Sequence, residues 1–338
     1  MPGKEIKLSI CIATFNRAMF IGETLESLIS QTTDEVEIVV LDGGSSDATE
    51  QVVRRYAETC PQLRYFRQDT NNGVDRDFDQ AVNLASGDYC WLMSDDDLIK
   101  PGAIAQVLGR LGLSRSLIIV NAEIRSHDFA VLLEERRLRF QADMFYAPGE
   151  MDRLFVDTGL YLTFIGCVVI ERRLWKNRQR EPYFGSQFIH MGVIFQSEIP
   201  HGTEVLANVL VTIRYGNSTW KPREFEIWMC KWPTLVWSLP GVSDVAKRAV
   251  CPADVWHKMK PLLLYRAKGS YSLREFRLWI EPRLPFLGTV VPRFVAILPG
   301  VLVNTLALLY FSARRDSDPI LADLRRSRFY FREWSWNK

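Results

Sequence analysis

Several patterns that mark common enzyme and metal-binding classes are missing from this 338-residue sequence. No G-x-G-x-x-G follows the first apolar segment and no G-x-x-x-x-G-K-[ST] occurs, so the phosphate loops of dinucleotide oxidoreductases and P-loop hydrolases are absent. The six cysteines form no C-x-x-C pair, which argues against a zinc or dithiol centre and favours reduced, buried thiols. The N-terminal segment lacks an apolar core, so we expect no secretory signal peptide.

Charge is divided unevenly along the chain, although the net charge is only +2. From residue 220 onward there are 20 Lys and Arg against 10 Asp and Glu, whereas the preceding residues have an acidic excess. Eight of the ten tryptophans also lie beyond residue 219. We therefore predict two domains with different roles, residues 1–219 and residues 220–338.

Short apolar segments alternate with helical patterns through the acidic part, and this alternation predicts an α/β fold. The predicted strands are residues 8–13, 36–41, 63–66, 89–93, 117–120, 161–170 and 205–213. Continuous apolar strands separated by helices favour a mostly parallel sheet that is flanked by helices. Ligands of such sheets bind beyond the carboxyl ends of the strands.

Polar clusters follow four of these strands: Thr14 with Asn16, Asp42, residues 71–76, and the triplet Asp95–Asp97. Three successive carboxylates after a buried strand are costly without a counter-charge, which a divalent cation completed by phosphate oxygens supplies. An acidic helix N-terminus is the alternative for the triplet, and loop or cap positions are the alternative for the others. Taken together, the clusters predict a nucleotide and a metal at one edge of the sheet.

The segments SICIATFNR, VVLDGGSSDAT and NNGVDRDFDQAVNLASGDYCWLMSDDDLIKPGAI, in this order, resemble the nucleotide-binding half of inverting family 2 glycosyltransferases. The resemblance covers residues 6–219 and is especially marked toward the bacterial abequosyltransferase-type enzymes of O-antigen and related polysaccharide synthesis. It implies a GT-A catalytic domain, with nucleotide-sugar binding over about residues 6–120 and the acceptor side over about residues 121–219.

The resemblance also implies roles for individual residues. Asp42 matches the aspartate that holds a uracil or thymine ring, so a UDP or dTDP sugar is the expected donor. Asp96 matches the family's metal-binding aspartate for Mg²⁺ or Mn²⁺, with Asp97 as a second candidate. Ser94 replaces the first Asp of the usual DxD, so the choice among the three carboxylates stays open. The implied nucleotide-sugar contacts are Thr14, Asn16, Arg17, Asp42, Ser45, Asn71, Gly73, Asp75, Arg76 and Asp95.

The general base is expected to differ from the family pattern, because the usual Glu-Asp pair is replaced by Ile189-His190. Abequosyltransferase-type members are similar in having a histidine at this position. A neutral imidazole, with an unperturbed pKa of about 6.5, suits proton abstraction from an acceptor hydroxyl. Metal ligation and a hydrogen-bonded histidine within a helix are the alternatives. Farther along, Arg214 begins a polar segment that is either an anion contact for the diphosphate or a plain surface loop.

The basic part contains an uncharged apolar stretch, residues 294–311, which Pro299-Gly300 interrupts and arginines flank. Tryptophans beside basic residues are typical of interfaces with anionic lipid. We favour an interface-lying or re-entrant helix in a membrane-associating helical region, with a spanning helix and a buried helix as alternatives. Nucleic acid is a poorer partner, because the apolar stretch has no role there.

These observations lead to one expected function and two alternatives. The expected protein is a metal-dependent inverting glycosyltransferase at the cytoplasmic face of a bacterial inner membrane, acting on a saccharide linked to a polyprenyl diphosphate. A non-catalytic membrane scaffold with the same fold is one alternative. A sugar nucleotidyltransferase is the other, but it needs a Gly-rich basic loop that residues 13–17 do not supply.

Overall fold

The computed structural model of the chain describes residues 5–113, 115–253, 259–314 and 318–331. The chain forms two compact units. The first consists of Met1–Asn217 and Ser238–Val250, and the second consists of Ser218–Trp237 and Cys251–Lys338. The roles assigned from the sequence to residues 1–219 and 220–338 stay predictions.

The strands of the described residues belong to the first unit and join in one 10-stranded sheet. They are β1 (Leu8–Thr14), β2 (Val36–Asp42), β3 (Leu63–Arg67), β4 (Tyr89–Met93), β5 (Leu98–Ile99), β6 (Leu117–Arg125), β7 (Leu132–Glu134), β8 (Met144–Tyr146), β9 (Val168–Glu171) and β10 (Thr203–Arg214). Their order is β3-β2-β1-β4-β9-β6-β10-β5, with β7 beside β6 and β8 beside β10.

The long strands pair in parallel: β1 with β2 and β4, β2 with β3, and β6 with β10. Strand β9 runs antiparallel to both of its neighbours, β4 and β6, so those two strands point the same way. The carboxyl ends of β1, β2, β4 and β10 therefore lie along one edge of the sheet. This arrangement confirms the predicted α/β fold with a mostly parallel sheet.

Helices flank the sheet in the first unit and form all of the regular structure described in the second. They are α1 (Ile21–Ile29), α2 (Thr49–Ala57), α3 (Val74–Leu84), α4 (Ala103–Leu111), α5 (Met151–Thr158), α6 (Arg172–Lys176), α7 (Ile189–Phe195), α8 (Glu224–Glu226), α9 (Trp232–Ser238), α10 (Asp244–Val250), α11 (Met259–Lys268), α12 (Leu273–Glu275), α13 (Phe286–Ile297), α14 (Gly300–Ser312) and α15 (Asp318–Arg326).

One predicted strand, residues 161–170, is wrong over most of its length. The structure has two 3₁₀ turns, Tyr161–Thr163 and Ile165–Cys167, before the short strand β9 begins. The Phe164 ring folds back over Gly166, where a Cβ atom would lie only 2.4 Å from the ring. The Gly166 carbonyl accepts a hydrogen bond from the Trp91 indole at 2.9 Å. The apolar side chains of this segment are therefore buried although its backbone forms turns. Apolar composition alone does not distinguish such turns from a buried strand.

The second unit has its own core, and Lys268 pairs with both Glu224 and Asp323 within it. Phe225, Tyr271 and Phe276 lie at the centre of the core and are almost completely buried. Within the described residues, no single helix is both long and apolar enough to cross a membrane. Helices α13 and α14 meet those length and composition requirements only as a pair, and they are bent by 88° relative to each other.

Candidate functional site

The turns after β1 and β2 are joined by hydrogen bonds between the residues that the sequence singled out. Asn16 has a positive φ of 55°, and its side-chain oxygen accepts from the Ser46 backbone N–H at 2.7 Å. The Asn16 N–H donates to the Ser45 hydroxyl at 2.8 Å, and the Arg17 N–H donates to the Thr49 hydroxyl at 2.8 Å. These bonds hold the two turns together and fix the start of the Arg17 side chain.

Asp42 is completely buried at the end of β2. One carboxylate oxygen accepts from the Ser45 N–H at 2.7 Å, and the other accepts from the Tyr65 hydroxyl at 2.7 Å. Burial and this hydrogen bond raise the pKa of Tyr65 well above its usual range. Each carboxylate oxygen has a second lone pair, so these bonds leave acceptor capacity for a ligand. Contact between Asp42 and a nucleobase stays a prediction.

The Arg17 guanidinium lies between the first two carboxylates of the triplet. Its Nε donates to Asp95 at 3.0 Å, and a terminal nitrogen pairs with Asp96. Burial, and next the Asp96 charge, raise the pKa of Asp95 to about 6 although Arg17 opposes the rise. Burial also raises the pKa of Asp96, against the favourable charge of Arg17. The strand ends thus bring a cation and two partly buried acids into contact.

Asp97 has a different environment from its two neighbours. It is 3% exposed, and its carboxylate accepts from the Arg214 N–H at 2.8 Å. Its backbone carbonyl accepts from the Thr24 hydroxyl at 2.9 Å. Burial raises the pKa of Asp97 well above its usual value. The contacts of Asp97 join the end of β10 and helix α1 to the segment that follows β4.

The polar segment that begins at Arg214 completes this cluster through Asn217, to which the sequence assigned no individual contact. The Asn217 amide donates to Asp96 at 2.7 Å, and the Asn217 carbonyl accepts from Arg17 at 3.1 Å. The Arg214 guanidinium donates to the backbone carbonyls of Asp96 at 3.0 Å and His127 at 2.7 Å. Arg214 therefore anchors this segment. The position of Asn217, directly after a strand that ends at the same edge, was the available signal.

The donor set at the triplet suits a hard divalent cation in one respect only. Asp95 and Asp96 both direct carboxylate oxygens at the Arg17 guanidinium. Carboxylate oxygen is the ligand type that Mg²⁺ and Mn²⁺ prefer. Among the described residues, no group of three or more His, Cys, Asp or Glu side chains is arranged to hold a metal. A cation held by these two carboxylates would take most of its shell from other oxygens, such as those of a diphosphate.

The loop before α3 approaches the start of α7. Gly73 has a φ of 88°, and its N–H donates to the Asn71 side chain at 2.8 Å. The Asp75 carboxylate is 3% exposed and accepts from two backbone N–H groups, those of Gln187 at 2.9 Å and Ile189 at 3.1 Å. Asp75 thus fixes the N-terminus of α7. Its predicted contact with the donor stays a prediction.

Arg76, one residue farther on, is exposed and lies beside an open groove. Its guanidinium stacks over the Phe184 ring, 4.3 Å from the ring centre. A groove of about 650 Å³ is lined by both residues together with Phe66, Arg67 and Gln68, among others. The contact of Arg76 with the donor stays a prediction.

His190 is 1% exposed within α7. Its Nε2 lies 2.6 Å from the Leu162 carbonyl oxygen, so this nitrogen carries the proton and donates. Nδ1 has no hydrogen-bond partner among the residues that the structure describes. Burial lowers the pKa of His190 to about 4, which keeps the ring neutral. The bond to Leu162 matches the interpretation of a hydrogen-bonded helix residue, while the free Nδ1 lone pair retains the chemistry of a base.

Comparison with known proteins relates about half of the chain to one family. Residues 9–173 match the sequence model of Glycosyl transferase family 2. The abequosyltransferase RfbV of Salmonella typhimurium is 24% identical over 198 residues, which are 55% of this chain and 60% of that protein. A GalNAc(5)-diNAcBac-PP-undecaprenol beta-1,3-glucosyltransferase of Campylobacter jejuni is 30% identical over 30% of this chain and 33% of its own length. The chain thus spans less than two thirds of the length of these relatives.

Similarity to solved structures extends over nearly the whole chain. The mannosyltransferase PcManGT of Pyrobaculum calidifontis, solved with GDP-Man and Mn²⁺, superposes with a TM-score of 0.56 at 16% identity. The alignment covers 96% of this chain and 86% of that one. At this identity the similarity shows the fold alone. The mostly parallel sheet and its flanking helices have the GT-A fold.

Proposed function

We propose that this chain, which carries a family 2 glycosyltransferase domain over residues 9–173, transfers a sugar from a nucleotide-diphosphate donor with inversion at the anomeric carbon. The observation that carries the proposal is the cluster of Arg17, Asp95 and Asp96 at the carboxyl edge of the sheet. Two partly buried carboxylates with raised pKa values, beside a guanidinium, are a costly arrangement that a folding role alone does not require.

A divalent cation, Mg²⁺ or Mn²⁺, is the proposed cofactor at this cluster. Asp96 is the proposed ligand, with Asp95 or Asp97 as the second carboxylate. When bound, such a cation neutralises the negative charge that develops on a departing diphosphate. The Arg17 guanidinium keeps Asp95 and Asp96 adjacent by pairing with both. The Mn²⁺ in the Pyrobaculum mannosyltransferase supports this assignment for the fold.

The donor is proposed to be a UDP or dTDP sugar. Support comes from Asp42 at the carboxyl end of β2, whose carboxylate keeps unused lone pairs for a ring N–H of uracil or thymine; because the side chain is completely buried here, this contact requires the neighbouring turn to move. The Pyrobaculum protein contains GDP-Man, so the fold by itself accommodates a different base. A panel of nucleotides is therefore part of the test below.

His190 is the proposed general base. Its Nε2–H is committed to Leu162, which orients the ring and leaves the lone pair of Nδ1 as the proposed proton acceptor; Nδ1 is buried in this structure, so the acceptor side must open for a hydroxyl to reach it. Asp75 fixes the helix that carries His190, because it caps the N–H groups of Gln187 and Ile189. An acceptor hydroxyl that reaches Nδ1 would lose its proton there as it attacks the anomeric carbon, while the nucleoside diphosphate leaves from the opposite face.

The proposed acceptor is a saccharide on a polyprenyl diphosphate in bacterial surface-polysaccharide synthesis. The name of the Campylobacter relative includes an undecaprenyl diphosphate, and the Salmonella relative is an abequosyltransferase. A non-catalytic scaffold with this fold is the second candidate. It would bind a nucleotide without turning it over.

Calorimetric titration with UDP-, dTDP-, GDP- and CDP-sugars, in Mg²⁺ or Mn²⁺ and in EDTA, tests this function. We expect one nucleotide class to bind in a metal-dependent way, and Asp96→Asn to weaken that binding. Asp244→Asn is the matched control, because Asp244 is an exposed aspartate on α10 whose side chain is 68% accessible. Equal donor affinity in wild type, Asp96→Asn and EDTA would refute the metal assignment, and no binding of any donor would refute the function.

A further inference from the structure

The bent pair α13–α14 presents an apolar face to solvent on both helices. Phe286 and Leu287 are 80% and 84% exposed at the start of α13, and Phe294 and Ile297 continue this face. Leu306 and Leu309 extend it along α14 with exposures of 57% and 61%. Soluble surfaces rarely expose so many large apolar side chains together, so a partner is expected to cover them.

The opposite face of the same pair is part of the core of the second unit. Pro292, Val295 and Ala296 are buried on α13, and Val303 and Asn304 are buried on α14. The Asn304 amide donates to the backbone carbonyls of Ala267 at 3.1 Å and Leu324 at 3.0 Å. The two helices are therefore anchored from inside, and their exposed face is a built surface of the fold.

The bend between the helices is also held by specific contacts. The Leu298 carbonyl, directly before Pro299, accepts two hydrogen bonds from the Arg266 guanidinium at 2.9 and 2.6 Å. Gly300 packs so closely on the Phe329 ring that a Cβ atom would lie 2.5 Å from it. Straightening the pair into one spanning helix would break these contacts. The geometry therefore favours a surface that lies on a membrane over one that crosses it.

The charges within the bent pair and directly beside it are positive, although Glu281 lies exposed two residues before Arg283. Residues 284–312 contain no Asp or Glu, and Arg293 lies exposed within them. Arg283 and Arg314 flank the pair, and they stack over Trp279 and Tyr310. A second copy of the chain docked on the same face would bring like charges together, whereas anionic lipid headgroups neutralise them. Aromatic rings beside arginines are also typical of the headgroup region.

We infer that the exposed face of α13–α14 inserts into the headgroup–acyl boundary of an anionic lipid leaflet, with the bent pair lying along the membrane surface. The cytoplasmic leaflet of a bacterial inner membrane is the proposed location. This inference goes beyond the proposed sugar transfer and does not depend on it. Two attractions add: burial of the apolar side chains, and Coulomb attraction of the arginines, which salt screens.

Vesicle flotation of the full chain tests the inference, with vesicles of phosphatidylcholine alone and of phosphatidylcholine containing phosphatidylglycerol. We expect binding to the anionic vesicles that weakens in high salt but persists. Leu287→Asp should reduce this binding by about tenfold or more, because it replaces an inserted apolar side chain with a carboxylate that anionic lipid repels. Leu309→Asp should do the same from α14. Val245→Asp is the matched control, because Val245 is 80% exposed on α10 of the first unit.

Donor binding, measured on the same variants, separates this inference from the proposed function. Vesicle binding without any donor binding would support the inference and refute the function. Equal vesicle binding by wild type, Leu287→Asp and Leu309→Asp would overturn the inference. Complete release from the vesicles by salt would also overturn the inference. So would a chain that does not bind vesicles and instead forms a dimer that Leu287→Asp dissociates.

Discussion

Replacing Asp77 by Asn should stabilise the first unit at neutral pH and leave its stability nearly unchanged in acid. Asp77 lies on α3, is 3% exposed, and accepts a hydrogen bond from the Gln68 amide at 3.2 Å. Its carboxylate also lies beneath Gly43, where a Cβ atom would be 2.9 Å from it. Burial is the main cause that raises the pKa of Asp77 to about 6, with the charges of Asp42 and Asp75 adding to it.

The size and sign of the effect follow from this pKa. A carboxyl group with a raised folded-state pKa binds its proton more tightly in the folded state, so its contribution to stability is fully present below the unfolded-state pKa of about 3.9. That contribution is lost as the pH rises through about 6. A difference of about two pKa units corresponds to roughly 3 kcal/mol at pH 7 and above. Asn does not titrate and can accept the same bond from Gln68, so Asp77→Asn should recover about 2–3 kcal/mol there.

Urea unfolding at pH 4, 5, 6, 7 and 8 measures this difference. The gain in unfolding free energy for Asp77→Asn should be close to zero at pH 4 and grow until about pH 7. Asp47→Asn is a control of opposite sign, because hydrogen bonds from Thr49 and Ala18 outweigh burial and lower the pKa of Asp47. That variant should be less stable than wild type by a nearly constant amount from about pH 5 to 8, with a deficit that shrinks only as the pH falls below about 4. A gain for Asp77→Asn that does not vary with pH, or a loss that grows with pH, would refute the reasoning.

Three further predictions concern the candidate site. Asp96→Asn should abolish turnover and weaken donor binding, because it removes an anionic ligand from the cation; full activity in this variant, measured by nucleoside diphosphate release, would contradict the metal assignment. His190→Ala should lower kcat by about 10²–10⁴-fold with donor affinity nearly unchanged, whereas a joint loss of rate and donor affinity in steady-state kinetics would make His190 a ligand contact. Asp75→Ala should cost about 1–3 kcal/mol in urea unfolding, because the buried carboxylate that accepts from Gln187 and Ile189 is lost; unchanged stability with lost donor affinity would instead make Asp75 a donor contact.

The sheet and the edge that carries the candidate site were predictable from the sequence. The apolar segments that became β1, β2 and β4 are continuous and are each followed by polar residues, and the physics of parallel sheets places those ends together. The sequence alone therefore assigns Asp42 and the triplet after β4 to the same edge of the sheet. The apolar stretch in the second unit was equally visible, because it lacks charge over many residues.

Contacts between distant parts of the chain were not predictable in this way. The pairing of Arg17 with Asp96 and the approach of Asn217 join residues about 80 and 200 positions apart. Asp75 caps a helix more than 100 residues away, and nothing in its local sequence specifies that partner. Residues 161–167 form turns where a strand was predicted. Their apolar composition indicates that the side chains are buried, but it does not specify the backbone conformation.

Release of free nucleoside diphosphate from nucleotide sugars tests the central claim most directly. Purified full-length chain is incubated with UDP-, dTDP-, GDP- and CDP-sugars in Mg²⁺ or Mn²⁺, with and without bacterial lipid-linked saccharide. We predict release from one donor class that the acceptor accelerates, with loss of release in Asp96→Asn and in EDTA. The same low rate for wild type and Asp96→Asn with every donor, cation and acceptor would contradict the assignment of this chain as a glycosyltransferase.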